Sequence, residues 1–578
     1  MTSAHDRDEF DAVVIGSGFG GAVAAARLAE RGVPDVLVLE RGMPYPPGSF
    51  ARTPREMRDG VWDPATDRYG PLELLKFSHV TAVISSGLGG GSLVYANVML
   101  RKPPETFGAD QANGWREWPI SYAQLEEGYA AVEARMGPTE MPYDSYAVPK
   151  TEAFKTALDG LGLKPTKAPI AVTFAARDGE PPQPGMPLLD GAGKVDTDNL
   201  HHRPRRSCTL CGDCDFGCNE GAKNTLDYNF LTAFVTHPSG RKEIRTCCEA
   251  LDIAGPLPGG GYEIRYRQHQ AARDKVKLRA AAEQQPGDLD LIDSCDEELR
   301  TVRAKVVILG AGTFGSTRLL LASRCRLPRL SAQLGRGFSS NGDLLKFAFN
   351  CRRDGEWRDI APSRGPVITA YAEAAADGHQ TWLEDGGFPR GMEMMWQVTE
   401  APQDLWKMRS VLWRMLRRRL FGNVGGQYME AIGTAHASGS MLPLLAMGRD
   451  VPGGVIELDG DSLTLDWDPD AASNSYFSFV ERCTRALADR LGGHAGDRGL
   501  RGRILPGRGT CAHPLGGCRM GRTEHEGVIG TDGQVFGCEG LYVADGAVMP
   551  GPVGPNPSLT IGAISHLIAG HAAERASS

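Results

Sequence analysis

The chain lacks any apolar run long enough to span a bilayer: charge, glycine or proline interrupts every hydrophobic stretch short of about 20 residues. It also lacks an excess of positive charge. With 63 Lys and Arg against 71 Asp and Glu the net charge is −8, which argues against nucleic acid as the main partner, because phosphate binding needs a basic surface. Low-complexity sequence is missing, so no large part of the chain is expected to be disordered. The opening Met1–Phe10 is polar and acidic, without the basic and apolar regions of a secretory signal, and a cytoplasmic location is expected. In that compartment the 13 cysteines are expected as free thiols or metal ligands rather than disulfides.

Glycine and proline are plentiful instead, at 73 and 38, which suits a fold with many tight loops. A chain of 578 residues exceeds one simple core, so two domains are expected.

The front end reads as a nucleotide site. Asp11–Ile15 is a buried parallel strand, followed by Gly16-Ser17-Gly18-Phe19-Gly20-Gly21 and the helix-forming Ala22–Ala29. A second strand, Val36–Leu39, ends in Glu40 and Arg41. Gly16 permits the tight turn, Gly18 admits a pyrophosphate, and Gly21 lets helix and strand pack closely. The helix N-terminus favours the phosphates, and Glu40 can accept hydrogen bonds from an unphosphorylated ribose, which suits FAD or NAD.

A second glycine-rich segment, Ser85–Asn97, carries Gly87, Gly89, Gly90 and Gly91, where backbone can lie against a flat group and Ser92 or Asn97 can hydrogen-bond it. Ala304–Leu309 enters another glycine turn at Gly310-Ala311-Gly312, and Tyr542–Ala544 leads into Asp545-Gly546. Near the C-terminus, His513 precedes a Pro-Leu-Gly-Gly turn and Asn556 stands between Pro555 and Pro557. Such constraint points to side chains fixed for chemistry.

These pieces together resemble the glucose–methanol–choline (GMC) oxidoreductase family, most of all its bacterial cholesterol oxidase and long-chain alcohol oxidase branch. The carrying residues are Gly16–Gly21 with Glu40, Gly87–Asn97, Val306–Ser316, Thr510–Cys518 and Asp545–Thr560. The resemblance implies an α/β fold, with a Rossmann-like FAD-binding domain built from discontinuous segments and an α+β substrate-binding domain with a large sheet. The FAD domain is expected over 1–135, 201–335 and 505–578, and the substrate domain over 136–200 and 336–504. FAD would be held by Gly16, Gly18, Phe19, Gly20, Gly21, Glu40, Arg41, Gly87, Gly89, Gly91, Ser92, Asn97, Gly312, Asp545, Gly546 and Pro557. His513 and Asn556 would face its reactive nitrogen, with Ser558–Ala572 as a helix pointing at the ring.

The activity implied is oxidation of an alcohol to a ketone or aldehyde by hydride transfer. A neutral histidine can take the hydroxyl proton, and an asparagine can hold the substrate oxygen. Glu384, in Thr381–Pro389, resembles a glutamate that sterol oxidases use for proton shuffling; Glu393 is a rival nearby. The expected substrate is a hydrophobic small-molecule alcohol, a sterol or a long-chain alcohol, with O2 or an external electron carrier as acceptor.

Cys208, Cys211, Cys214 and Cys218 have C-x2-C-x2-C-x3-C spacing. The spacing admits an Fe–S cluster, a zinc site or a metal-free loop. An Fe–S cluster would make the protein a sugar or cyclic-alcohol dehydrogenase that passes electrons outward. Two further readings are a hydroxynitrile-lyase-like flavoprotein, whose flavin is not used for redox chemistry, and a non-catalytic redox sensor. Over residues 405–421, Leu405, Met408, Leu412, Met415 and Leu416 share one helical face and Lys407, Arg414 and Arg418 the other. That pattern suits either a peripheral membrane contact or a packed helix with a basic face. Residues 268–300 read as a polar surface insertion.

Overall fold

The computed structural model describes residues 8–577 apart from 111–113, 143, 271, 273, 277–298, 390–438 and 497–508. The basic segment 405–421, Glu393 and most of the insertion at 268–300 lie outside the described residues. No helix among the described residues is long and apolar enough to cross a membrane.

The N-terminal strand, Glu9–Ile15, is buried along its apolar run and sits inside a seven-stranded sheet. On one side it pairs in parallel with Val36–Leu39, which pairs in parallel with Lys242–Arg245. On the other it pairs in parallel with Leu299–Leu309. That long strand serves two neighbours along its far edge. Its first half pairs antiparallel with Tyr262–Gln268, and its last residues, Val307–Leu309, pair in parallel with Leu541–Val543. The chain's two ends therefore enter one sheet, nearly 530 residues apart in sequence (541 − 15 = 526).

The helix Phe19–Glu30 packs on this sheet through an alanine-rich, almost wholly buried surface. Small side chains let a second helix, Ser558–Ser577, lie close to it, where Ser565 Oγ donates to the Gly20 carbonyl at 2.5 Å. A third helix, Tyr122–Met136, begins with a Ser121–Gln124 capping box and touches Ser558–Ser577 at Gly128. There a Cβ would stand 2.5 Å from the Ala563 carbonyl oxygen, so only glycine allows the approach.

A separate antiparallel sheet has six strands, in the order His494–Gly496, Leu344–Phe349, Leu442–Gly448, His379–Asp385, Ala370–Ala376 and Thr166–Lys167. Helices Pro149–Asp159 and Pro469–Arg490 cover one face through their own apolar cluster. A ribbon of Leu72–Lys76 and Val80–Ser85 takes Gly509–Cys511 as a parallel third strand. That pairing delivers the chain to His513.

Candidate active site

The glycine turn after the first strand does what its spacing requires. Gly16 has φ +96°, and a Cβ there would meet the Gly310 carbonyl oxygen at 2.4 Å, so two turns after adjacent parallel strands are pressed together. Glu40, at the end of the next strand, is buried. Its carboxylate accepts from Ser17 N at 3.0 Å, Ser17 Oγ at 2.6 Å and Gly42 N at 2.8 Å. Asp545 accepts from Gly312 N at 2.8 Å, Ser316 Oγ at 2.5 Å and Ala547 N at 2.8 Å, and burial pushes its carboxyl up to about 6.

These groups line a cavity of about 1260 Å³. Gly16, Gly18, Phe19, Gly20, Glu40, Arg41, Gly91, Gly312, Asp545, Gly546 and Pro557 are on its wall. Gly21, Gly87, Gly89, Ser92 and Asn97 stand behind it. Gly21 serves packing, since a Cβ there would meet the Gly16 carbonyl oxygen at 1.9 Å. Ser92 Oγ is engaged by the Gly89 carbonyl and Leu226 N. Asn97 is fully buried with both amide atoms unpartnered, and the residues on either side of it reach the wall.

His513 and Asn556 line the same cavity. Asp343 holds the histidine: its Oδ2 accepts from the backbone N–H of Ala512 at 2.7 Å and of His513 at 2.9 Å, while Oδ1 lies 2.7 Å from His513 Nδ1. A carboxylate acceptor at Nδ1 places the ring proton there and leaves Nε2 to accept. Two residues before Asp343, Asn341 clamps the other segment. Its Oδ1 accepts from Val553 N at 2.8 Å and Gly554 N at 3.0 Å, and its Nδ2 donates to the Gly554 and Pro555 carbonyls at 3.3 and 3.0 Å. Asp450 anchors this turn through Ser339 Oγ and both the N–H and hydroxyl of Ser340. From below, Lys102 Nζ donates to the Pro552 and Val553 carbonyls at 3.2 and 3.3 Å and lies over the rings of Trp118 and Phe107. Burial, with the Arg449 charge nearby, holds its ammonium well below the ordinary lysine range.

Glu384 is brought to this centre but not to the cavity wall. It lies fully buried beside Asn556. Burial raises its carboxyl well above the usual range; the Asn556 amide opposes that rise, and the charges of Asp385 and Asp343 add to it. Asn556 is near enough to act on the carboxyl, yet neither Glu384 oxygen completes a hydrogen bond, and Asn556 Oδ1 is unpartnered as well. Burial favours the protonated carboxyl, which carries a hydroxyl able to donate to a nearby acceptor.

The cysteine loop is not arranged as a metal site: among the described residues no three His, Cys, Asp or Glu side chains are gathered as ligands. The twelve described cysteines form no disulfide with one another. Burial drives the Cys208 and Cys214 thiols upward and pushes Cys211 up to about 12. The loop is spent on packing instead. Asn219 pairs with both backbone groups of Phe50, and Arg52 reaches the Gly217 carbonyl and Asp213. Asp215 and Phe216 lie on the cavity wall, and burial, opposed by the charges of Lys223, Lys150 and His513, pushes the Asp215 carboxyl up to about 6.

Asp343, Asn341 and Lys102 carry no motif that marks them in sequence, and Asp215 lies inside the cysteine run, where the thiols draw the attention. The nearest signal is the polar Ser339–Asp343 run, which reads as an ordinary turn.

A Rossmann-type glycine turn and an acid-held histidine line one cavity, an arrangement that suits a nucleotide-dependent oxidoreductase. Residues 14–56 match the model of the NAD(P)-binding Rossmann-like domain, and residues 495–565 that of GMC oxidoreductase. A cholesterol oxidase of Mycobacterium tuberculosis is 29% identical over 96% of this chain and 90% of its own, and one of Acinetobacter baumannii 27% over 96% and 93%. The solved pyridoxine 4-oxidase from Mesorbium loti shares the fold, with a TM-score of 0.57 at 17% identity over 97% of this chain and 98% of that one. The match over residues 495–565 and the similarity to cholesterol oxidases along nearly the whole chain are consistent with FAD-dependent oxidation of a CH–OH donor. The residues fit FAD: the glycine turns, Glu40 and His513 line one cavity, and Asn556 brings an unpartnered buried amide oxygen to it.

Proposed function

We propose that the protein oxidises a hydrophobic alcohol, a sterol or long-chain alcohol, to the ketone or aldehyde, with O2 as terminal acceptor. The observation that carries this reading is that His513 and Asn556 line the same cavity as Glu40 and the glycine turns. Bound FAD would supply the hydride acceptor. The substrate hydroxyl sits between His513 Nε2, which takes its proton as hydride leaves the carbon, and the Asn556 amide, which holds the oxygen. Asp343 keeps the imidazole in the accepting tautomer, and neutral Glu384 orients Asn556 from behind. If the substrate is a sterol whose double bond moves, the same carboxyl is the proton carrier. The similarity to cholesterol oxidases and the apolar lining by Val98, Leu345, Phe347, Ile368, Phe388 and Leu445 support the substrate class.

The test is anaerobic mixing of the purified flavoprotein with sterols, fatty alcohols, cyclic alcohols and sugars, followed by admission of air. Bleaching of the flavin by sterols or fatty alcohols, then recovery with release of hydrogen peroxide, is expected. A flavin that stays oxidised with every alcohol refutes the reading.

A further inference from the structure

The wall that carries His513, Asn556 and Asp343 also carries a carboxyl with no role in holding them, that of Asp215. Asp215 retains accessible surface although neighbours crowd it, and it lines the cavity together with His513 and Asn556. Its surroundings offer charge but no direct partner. Lys223 Nζ is committed to the Leu93 and Cys214 carbonyls at 3.0 and 2.9 Å, and Lys150 Nζ to Val367 and Asp385. Arg52 pairs with Asp213, two residues away. Among the described residues no donor reaches the Asp215 carboxyl. A carboxyl facing an apolar chamber without a donor is unfavourable, so its partner must come from whatever fills the chamber.

We propose that Asp215 receives a second hydrogen-bond donor of the substrate, a hydroxyl or an ammonium distant from the carbinol being oxidised. The preferred substrates are then amphipathic alcohols with two polar ends: hydroxylated sterols, long-chain diols or amino alcohols. This rests on the reading of His513 and Asn556 as the site that binds the reacting hydroxyl. Asp215 acts there as a specificity residue, binding the far end and fixing how deep the chain enters.

The experiment compares a 1-alkanol, the α,ω-diol and the ω-amino alcohol of one chain length, using anaerobic flavin reduction by the wild type, Asp215→Asn and Asp215→Leu. The wild type should favour the two-ended substrates in kcat/KM by at least about tenfold, the scale of one hydrogen bond to a charged group. Asp215→Leu should lose that preference mainly through KM. Asp215→Asn should keep the diol preference and lose that for the amino alcohol if the ammonium is the better donor. Calorimetric binding of the corresponding hydroxy-aldehyde, which needs no turnover, should weaken in step. A wild type without preference, or a preference unchanged in Asp215→Leu with FAD still bound, overturns the proposal. Flavin that no alcohol bleaches refutes the oxidase reading itself, and this inference falls with it.

Discussion

Replacing Asp343 by asparagine removes one charge and almost no volume, so the outcome isolates how the histidine is held. The carboxylate serves three donors, the N–H groups of Ala512 and His513 on Oδ2 and the ring Nδ1 on Oδ1. An asparagine cannot serve all three. With its oxygen toward the backbone, its NH2 faces Nδ1, which must then accept, so the ring proton moves to Nε2 and the imidazole cannot take a proton from substrate. With its oxygen toward Nδ1, two buried N–H groups face an NH2 and lose their acceptor, at about 1–3 kcal/mol each. The first arrangement is the less costly, and it removes general-base help worth about 10²–10⁴ in rate, or roughly 3–5 kcal/mol of barrier. Stopped-flow flavin reduction by a saturating alcohol should slow by at least about 10² while FAD content and reoxidation by O2 hold steady. A variant that reduces its flavin within about threefold of wild type, a barrier change under about 1 kcal/mol, would falsify the orienting role.

Three further outcomes follow from the same geometry. Glu384 has a raised carboxyl in the folded state, so its contribution to stability is present below the ordinary carboxylate pKa and is lost as pH rises through the folded value. Glu384→Gln should therefore flatten the fall in stability between mildly acidic and neutral pH, and denaturant midpoints at pH 5 and 8 that differ as much as in wild type would contradict this. Asn341→Ala strands the Val553 and Gly554 N–H groups and should cost about 2–4 kcal/mol in urea unfolding, with a loss of kcat. In Gly90→Ala, a Cβ at φ +53° would stand 2.5 Å from Gly18 Cα and push the two glycine turns apart, so FAD occupancy, read from the flavin-to-protein absorbance ratio, should drop sharply.

The parts of the site that were legible in sequence are those where local backbone need dictates residue type. Gly16 at φ +96° and Gly21 beneath the Gly16 carbonyl are glycines because nothing else fits, and their spacing announces the turn. His513 and Asn556 stood out through the glycines and prolines that immobilise them. Glu384 was placed by a loose local resemblance, and the structure sets it beside Asn556 but off the cavity wall. Asp343 and Asn341 were not legible, because their partners lie 170 and 212 residues away and no local pattern records such a distance. The cysteine spacing points toward a ligand set, but spacing carries no information about burial, which raises the Cys208, Cys211 and Cys214 thiols.

The short turn that grips both His513 and the loop before Asn556 has a consequence for exchange between relatives. It leads into the strand Leu344–Phe349 of the six-stranded sheet, yet both segments it grips belong to the last 70 residues (578 − 508). A chimera that imports a new sheet without its own Ser339–Asp343 would place the incoming strands correctly and leave His513 and the loop before Asn556 loosely seated. The natural cut for recombination therefore falls before Ser339, so that the turn travels with the sheet, and the C-terminal segment must be chosen to match it.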